Sequence, residues 1–349
     1  MKERPDTKPL QVRLLALPET TPSALYGLLE VLSSVGTIWP EMTGEPPAGR
    51  IFEVAIIAER RAPITCALGV PVQPGASFSD NETVDIAIVT DLAIDPESDA
   101  RGRWPLAREW LRRQFDEGAT ICSVCTGSLL LADAGLLEGI EATTHWSAAG
   151  QFARCFPATL LRPERILVPA GAEHRIVTSG GAASWEELAL YLITRFSSPV
   201  EAIRAAKLFV LGDRSEGQLP FAALGRPKSH EDAVIAAAQD WLGSHYDQPH
   251  PVAAMVARSG LPERTFTRRF KAATGYAPVD YVQALRIEEA KQMLEISNTA
   301  TEAVGTAVGY DDPAHFRRLF KRRTGTTPAR YRQRFQGLVQ GPFQGPGRA

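Results

Sequence analysis

The sequence predicts two domains of different class: an α/β N-terminal domain, a three-layer sandwich on a mostly parallel sheet, and an all-α C-terminal domain in which a two-helix unit occurs twice. Three observations carry this. Short apolar runs of strand length alternate with segments of helical spacing through roughly the first 200 residues. The C-terminal third repeats itself at an offset of 50: GLPERTFTRRFKAATGYAPVDY from Gly260 aligns with YDDPAHFRRLFKRRTGTTPARY from Tyr310, with 8 identities in 22 positions. Charge divides the same way, residues 229–349 carrying net +4 and residues 1–228 net −6.

In chain order, Val12–Pro18 reads as a first buried strand, and Ala24–Ser33 has helical spacing through Leu25, Leu28, Leu29 and Leu32. Phe52–Ala58 and Val84–Val89 follow as strands. Residues 104–115 read as a helix that turns Trp104, Ala107, and Trp110 or Leu111 inward and sheds Arg108, Arg112 and Arg113 to solvent. A short strand, Ala119–Val124, runs at once into a helix from Gly127, and helical spacing returns from Trp185 to Phe209 with a break near Ser197-Ser198-Pro199. The domains expected are residues 10–210, a Gly- and Pro-rich linker at 211–229, the helical domain at 230–335 and a disordered tail at 336–349.

Composition bounds the function classes. A chain of 349 residues with 44% hydrophobic and 22% charged residues builds a core in each half. No apolar run approaches 18 residues and the first nine residues are polar, so a membrane span is not expected and the cytoplasm is. Four cysteines, Cys66, Cys122, Cys125 and Cys155, make no disulfide framework, and no histidine stands with them in a zinc quartet. Neither a metal nor a cofactor is expected.

Each copy of the repeat reads as helix, tight turn, helix: Val252–Arg258 or Glu302–Val308, then a helix opened by Pro262 or Pro313 and closed near Gly275 or Gly325. At about 100° per residue, Phe266 and Phe270 share one face of the second helix, and Arg264, Thr267, Arg268 and Lys271 share another. Phe316 and Phe320 against Ala314, Arg317, Arg318 and Lys321 repeat the division. An aromatic anchor with a wet basic face suits a helix that enters the major groove of double-stranded DNA, where Arg reaches guanine edges and neighbouring cations hold phosphates. His315 lies beside the second reading face as a phosphate contact. Pro278–Ser297 is a connecting helix with Tyr281, Leu285, Ala290 and Leu294 on its apolar side. Two readers on one face of a duplex need a spacing near one helical turn, about 34 Å.

Ile121-Cys-Ser-Val-Cys125-Thr-Gly is the most chemical-looking stretch of the first half. A strand that bends sharply into a helix at Cys125 would lift its thiol above the sheet edge, beside helix N-terminal amides that favour thiolate, with Gly127 relieving the bend. Cys122 and Cys125 also form a C-x-x-C pair, but Cys122 falls inside the strand. Cys125 is open to three readings: a retained fold feature or wall of an effector pocket, the nucleophile of an amidase or hydrolase Cys–His pair, or a redox or covalent sensor. The first is the default. His145 is either a partner of that thiol or a local cap at a strand end.

Residues 230–335 resemble the DNA-binding domain of the AraC/XylS family of transcriptional regulators, in which a long central helix joins two helix-turn-helix units. The resemblance implies base contacts from Arg264, Thr267 and Arg268 in the first unit and from Ala314, Arg317 and Arg318 in the second, Ala314 offering only an apolar contact such as a thymine methyl. Phosphate contacts would come from Lys271, His315 and Lys321. Residues 119–146, ending ATTHW, resemble the nucleophile elbow and His region of PfpI-like members of the class I glutamine amidotransferase-like superfamily, which implies a flavodoxin-like sandwich with Cys125 at the elbow and His145 as its histidine. TSGGAASWEELAL, residues 178–190, looks like that family's late strand and helix, with Glu187 in its acidic position. The chain departs from the pattern: Ala24 stands where relatives carry an early acid, and Trp185 stands where a small glycine is usual.

The two resemblances together, across residues 12–335, are those of the GlxA-type branch. They imply a regulator, expected to be a homodimer, whose N-terminal domain senses an unknown small-molecule effector or dimerises, with RNA polymerase as a candidate further partner. The alternatives are an active Cys-dependent amidase or hydrolase fused to a DNA-binding domain, and a purely architectural protein.

Overall fold

The structure, a computed structural model, describes residues 8–46, 49–80, 82–211, 217, 219–221 and 230–340, and divides the chain into two units, Met1–Gln218 and Leu219–Ala349. Most of the expected linker at 211–229, and residues 341–349 of the expected tail, lie outside the described residues.

The first unit is a seven-stranded sheet of β1 (Leu10–Leu15), β2 (Phe52–Ala58), β3 (Ala76–Ser77), β4 (Ile86–Val89), β5 (Thr120–Val124), β6 (Leu167–Ala170) and β7 (Ile176–Ser179), in the spatial order β6-β7-β5-β4-β1-β2-β3. Every pairing is parallel except β6 with β7 at one edge. Alternate residues of each strand feed two cores, as a period of two requires. Val12, Leu14, Ile86, Ile88, Cys122 and Val177 pack under α1 (Pro22–Ser34), α6 (Trp185–Phe196) and α7 (Pro199–Phe209). Leu15, Ala87, Val89, Ile121 and Ile176 pack under α3 (Pro105–Asp116), α4 (Ser128–Asp133) and α5 (Ala149–Cys155), while α2 (Ile38–Thr43) follows α1. This is a three-layer α/β sandwich.

Two local expectations change. β1 ends at Leu15, not Pro18, because the chain turns there: Leu17 N–H donates to Thr20 Oγ1 at 2.9 Å and Thr20 N–H to Leu17 O at 2.9 Å. The arginines of α3 are not simply shed to solvent. Arg113 donates to Phe78 O at 2.9 Å, Arg112 donates to Ala134 O, and Arg108 lies 3.8 Å from the Asp133 carboxylate, so they stitch α3 to the loops beside it.

The second unit is helical: α8 (Ala233–Gly243), α9 (Pro251–Ser259), α10 (Glu263–Thr274), α11 (Pro278–Ile296), α12 (Thr301–Ala307), α13 (Pro313–Thr324) and α14 (Pro328–Gln340). The last of these carries helix into residues 336–340, which the sequence reading gave to the tail. One core gathers Ile235, Leu242, Met255, Phe266 and Phe270 against the start of α11, and a second gathers Val304, Phe316, Leu319, Phe320 and Tyr331 against its end. The connecting helix therefore belongs to both halves. It also carries a buried charge that its apolar spacing did not announce: Arg286, 8% exposed, donates to Tyr246 O at 2.6 Å, Gln248 O at 2.9 Å and Gly309 O at 2.9 Å. Gly309 has φ +85°, and a Cβ there would lie 2.3 Å from Asp247 O and 2.7 Å from the Arg286 guanidinium, so the residue must be glycine for this junction to close.

Candidate nucleic-acid interface and the elbow cysteine

The eight identities of the repeat sort by what each side chain does. Phe266 and Phe270 are fully buried with ring centroids 5.5 Å apart, and Phe316 and Phe320 are buried at 5.8 Å. Tyr281 and Tyr331, one turn into the following helices, meet Phe270 and Phe320 edge-on at 5.4 and 5.5 Å. Thr274 and Thr324 donate back to Phe270 O at 2.8 Å and Phe320 O at 2.9 Å, closing the last turn. Gly275 (φ +82°) and Gly325 (φ +75°) end the two helices in the left-handed conformation, donating to Lys271 O and Lys321 O. Pro278 and Pro328 open the next helices. Six of the eight identities thus hold the unit together.

The other two have no such task. Arg268 with Arg318, and Lys271 with Lys321, are exposed. Around them Arg264, Arg317 and His315 are exposed, and Thr267 and Ala314 are half-buried on the same faces. In α10, Arg264, Thr267, Arg268 and Lys271 line one open concavity with Glu263 and Thr265. Arg269 points elsewhere and pairs with Asp232, the N-cap of α8, at 2.6 Å.

The two faces are not electrostatically equal. Among the described residues no acidic side chain pairs with Arg264 or Arg268, whereas Arg317 Nη1 donates to Glu302 at 3.0 Å and Arg318 lies 3.8 Å from Asp312. Asp312 also caps α13, accepting from Ala314 N–H at 2.8 Å, which with Arg318 beside it holds its carboxyl below the usual range.

In the first unit the chain does bend sharply at Cys125, which takes φ +55° between β5 and a short turn into α4. The bend packs directly on the end of β4: a Cβ on Gly127 would lie 2.4 Å from Thr90 O, and Thr126 Oγ1 accepts from Leu92 N–H at 2.8 Å and donates to Leu92 O at 2.7 Å. The thiol, however, is not presented to solvent as a thiolate. Cys125 is 6% exposed within the apolar core, and burial, followed by the charge of Asp91, pushes its thiol up to about 12. Trp185 packs into the same core, its ring so close over α1 that a Cβ on Gly27 would lie 2.8 Å from it.

Among the described residues no hydrogen bond joins His145 to that thiol. Its Nδ1 is 2.6 Å from Ser147 Oγ and accepts from Ser147 N–H at 3.3 Å, its ring tilts against Trp146, and burial lowers its pKa. This is the local-cap geometry. Glu187 lies half-buried in the first turn of α6. The acid absent from α1 has a counterpart that the sequence reading missed: Asp91, 6% exposed just beyond β4, accepts from Thr21 Oγ1 at the N-cap of α1. Burial raises its pKa to about 6. An acidic residue two positions after the apolar run Ile86–Val89, at the carboxyl edge of a parallel sheet, was the available signal.

All four cysteines are free and buried, and among the described residues no group of three His, Cys, Asp or Glu side chains is placed to hold a metal. No helix among them is long and apolar enough to cross a membrane.

Comparison with known proteins agrees with both halves. A helix-turn-helix domain model matches residues 255–334, and a DJ-1/PfpI family model matches residues 48–195. The chain is 25% identical over 305 residues to the HTH-type transcriptional regulator CdhR of Pseudomonas aeruginosa, spanning 86% of this chain and 88% of that protein. It is 26% identical over 226 residues to the HTH-type transcriptional regulator GlxA of Rhizobium meliloti, spanning 64% and 68%. Over 143 residues, 40% of this chain and 53% of that protein, it is 29% identical to the isonitrile hydratase of Pseudomonas putida.

Proposed function

We propose that this chain, which belongs to the helix-turn-helix transcriptional regulators of AraC type that carry a DJ-1/PfpI domain, reads promoter DNA by laying α10 and α13 in successive major-groove segments. One observation carries this reading. Of the side chains identical between the two repeats, those not needed to build the fold are an exposed Arg and an exposed Lys at equivalent places on each second helix. Arg264, Thr267 and Arg268 in one helix, and Ala314, Arg317 and Arg318 in the other, take the base edges; Lys271, His315 and Lys321 take phosphates. With a net charge of only +4 over residues 229–349, placement of charge matters more than its amount.

The N-terminal domain acts as sensor or dimerisation module, with a homodimer as the working assembly and RNA polymerase as a further partner. Binding of a small molecule near the carboxyl edge of the sheet shifts the population of DNA-competent dimers. A protonated, covered thiol whose histidine is engaged elsewhere supports a pocket wall over a nucleophile. Working on DNA, the protein acts in the cytoplasm.

The test is selection from a random duplex pool by the full chain. Enrichment of two short elements about one helical turn apart is expected. Enrichment of one element, or of none above bulk affinity, overturns the reading. DNA affinity and dimer mass that stay constant across a metabolite panel would overturn the sensor role and leave an architectural one.

A further inference from the structure

Glu302 stands outside the repeat. At the offset of 50 its counterpart is Val252, and the counterpart of Arg317 is Thr267, so the ion pair between them belongs to the second unit alone. Glu302 sits in the first turn of α12, and its carboxylate accepts from Arg317 Nη1 at 3.0 Å across 15 residues, with both side chains more than half exposed (58% and 52%). Nothing in the core requires it. An exposed pair of this kind contributes little stability, and a carboxylate on a surface meant for DNA repels phosphate. Its presence there asks for a reason.

We propose that Glu302 is a positioning residue for the second reader, which trades general affinity for discrimination, while the first reader supplies the anchor. An unpaired arginine is long, flexible and satisfied by any phosphate. Held by Glu302 through one nitrogen, Arg317 keeps its remaining N–H donors but loses the freedom to follow the backbone, so its ordering cost is met before DNA arrives. Contact with a single phosphate oxygen then has to compete with the carboxylate and suffers its repulsion, whereas the paired N7 and O6 acceptors of guanine offer a bidentate exchange. α10, whose Arg264 and Arg268 make no ion pair among the described residues although Glu263 lines the same concavity, is left as the affinity reader.

The proposal rests on α13 being a DNA-reading helix, and its test separates the two. With the full chain and a duplex chosen by selection, binding is measured to that duplex and to a scrambled one for wild type, Glu302→Gln, Arg317→Ala and the double variant, at several salt concentrations. Glu302→Gln should tighten scrambled-duplex binding by roughly two- to five-fold, steepen its dependence on salt by up to about one released counterion, and leave binding to the selected duplex unchanged or weaker. In the Arg317→Ala background the same substitution should no longer alter the ratio between duplexes. If Glu302→Gln tightens both duplexes equally, Glu302 acts only as bulk charge and the proposal falls. A ratio that still changes without Arg317 also overturns it, with Glu302 then contacting a base directly. If Arg317→Ala itself leaves the selected duplex bound as before, the reading of α13 fails, and this proposal with it.

Discussion

Arg286→Met removes the rivet between the two halves of the helical domain while keeping most of the side chain's apolar stem. Three carbonyls, those of Tyr246, Gln248 and Gly309, lose their donor, and the cation over the Tyr310 ring is lost as well. A buried acceptor left without a partner costs about 1–3 kcal/mol. Taking the low end for three groups near the surface, where water can reach some of them, gives about 3 kcal/mol. For a domain of this size each kcal/mol is worth about 4 °C, so its melting transition should fall by about 12 °C. Scanning calorimetry of the full chain reads the shift, and hydrogen exchange assigns it to residues 230–340, with the first unit unmoved. Arg286→Lys, which keeps the charge but cannot span three carbonyls, should fall between. A loss under about 1 kcal/mol for Arg286→Met would refute the reasoning, because the carbonyls would then be adequately hydrated without the arginine.

Other expectations follow from the same geometry. Arg268→Ala should cost about 1–3 kcal/mol at the selected duplex and relax preference at one position, whereas Lys271→Ala should weaken all duplexes by a similar factor; titration against a panel of single-base variants distinguishes them. Cys125, buried with its thiol pushed up to about 12, should react with iodoacetamide at pH 7.5 far more slowly than free cysteine near its ordinary pKa of about 8.5, and fast labelling in the folded protein would contradict the placement. Asp91 binds its proton more tightly folded than unfolded, so its ionisation opposes folding: the penalty is absent below the unfolded pKa and grows as pH rises through about 6. Asp91→Asn should therefore raise the unfolding free energy of the first unit relative to wild type at pH 8 by up to about 3 kcal/mol before loss of the Thr21 contact is counted, read by denaturant titration, with the advantage vanishing towards pH 4. An advantage independent of pH would show that the carboxylate is solvated.

What was legible in the sequence was whatever repeats along it. The helix from Pro199 announced itself by its break at Ser197-Ser198, β2 by its apolar run, and the aromatic and basic faces of α10 and α13 by a period near 3.6 met twice. Interactions whose partner has no side-chain signature were not legible. Arg286 is buried because it serves backbone carbonyls 23 to 40 residues away, and nothing in an apolar helix spacing marks those acceptors. Asp91 was overlooked because the acid was sought on α1, where relatives of the elbow carry it, while the fold delivers one from the end of β4 to the N-cap of α1. The elbow is legible as a strand running straight into a helix, but the burial of Cys125 is not, because the apolar core it joins is assembled from segments as distant in sequence as α1 and α6. Glu302 and Arg317 are each ordinary surface residues until folding brings them to 3.0 Å.

The most direct test of the central claim is guanine methylation interference on the selected duplex with wild type, Arg268→Ala and Arg318→Ala. Two patches of interference about one helical turn apart on one face of the duplex are expected for wild type, with Arg268→Ala removing interference at a guanine in one patch only and Arg318→Ala at a guanine in the other. Patches unchanged by both substitutions, or a single substitution that alters both patches, would contradict the assignment of α10 and α13 as separate readers.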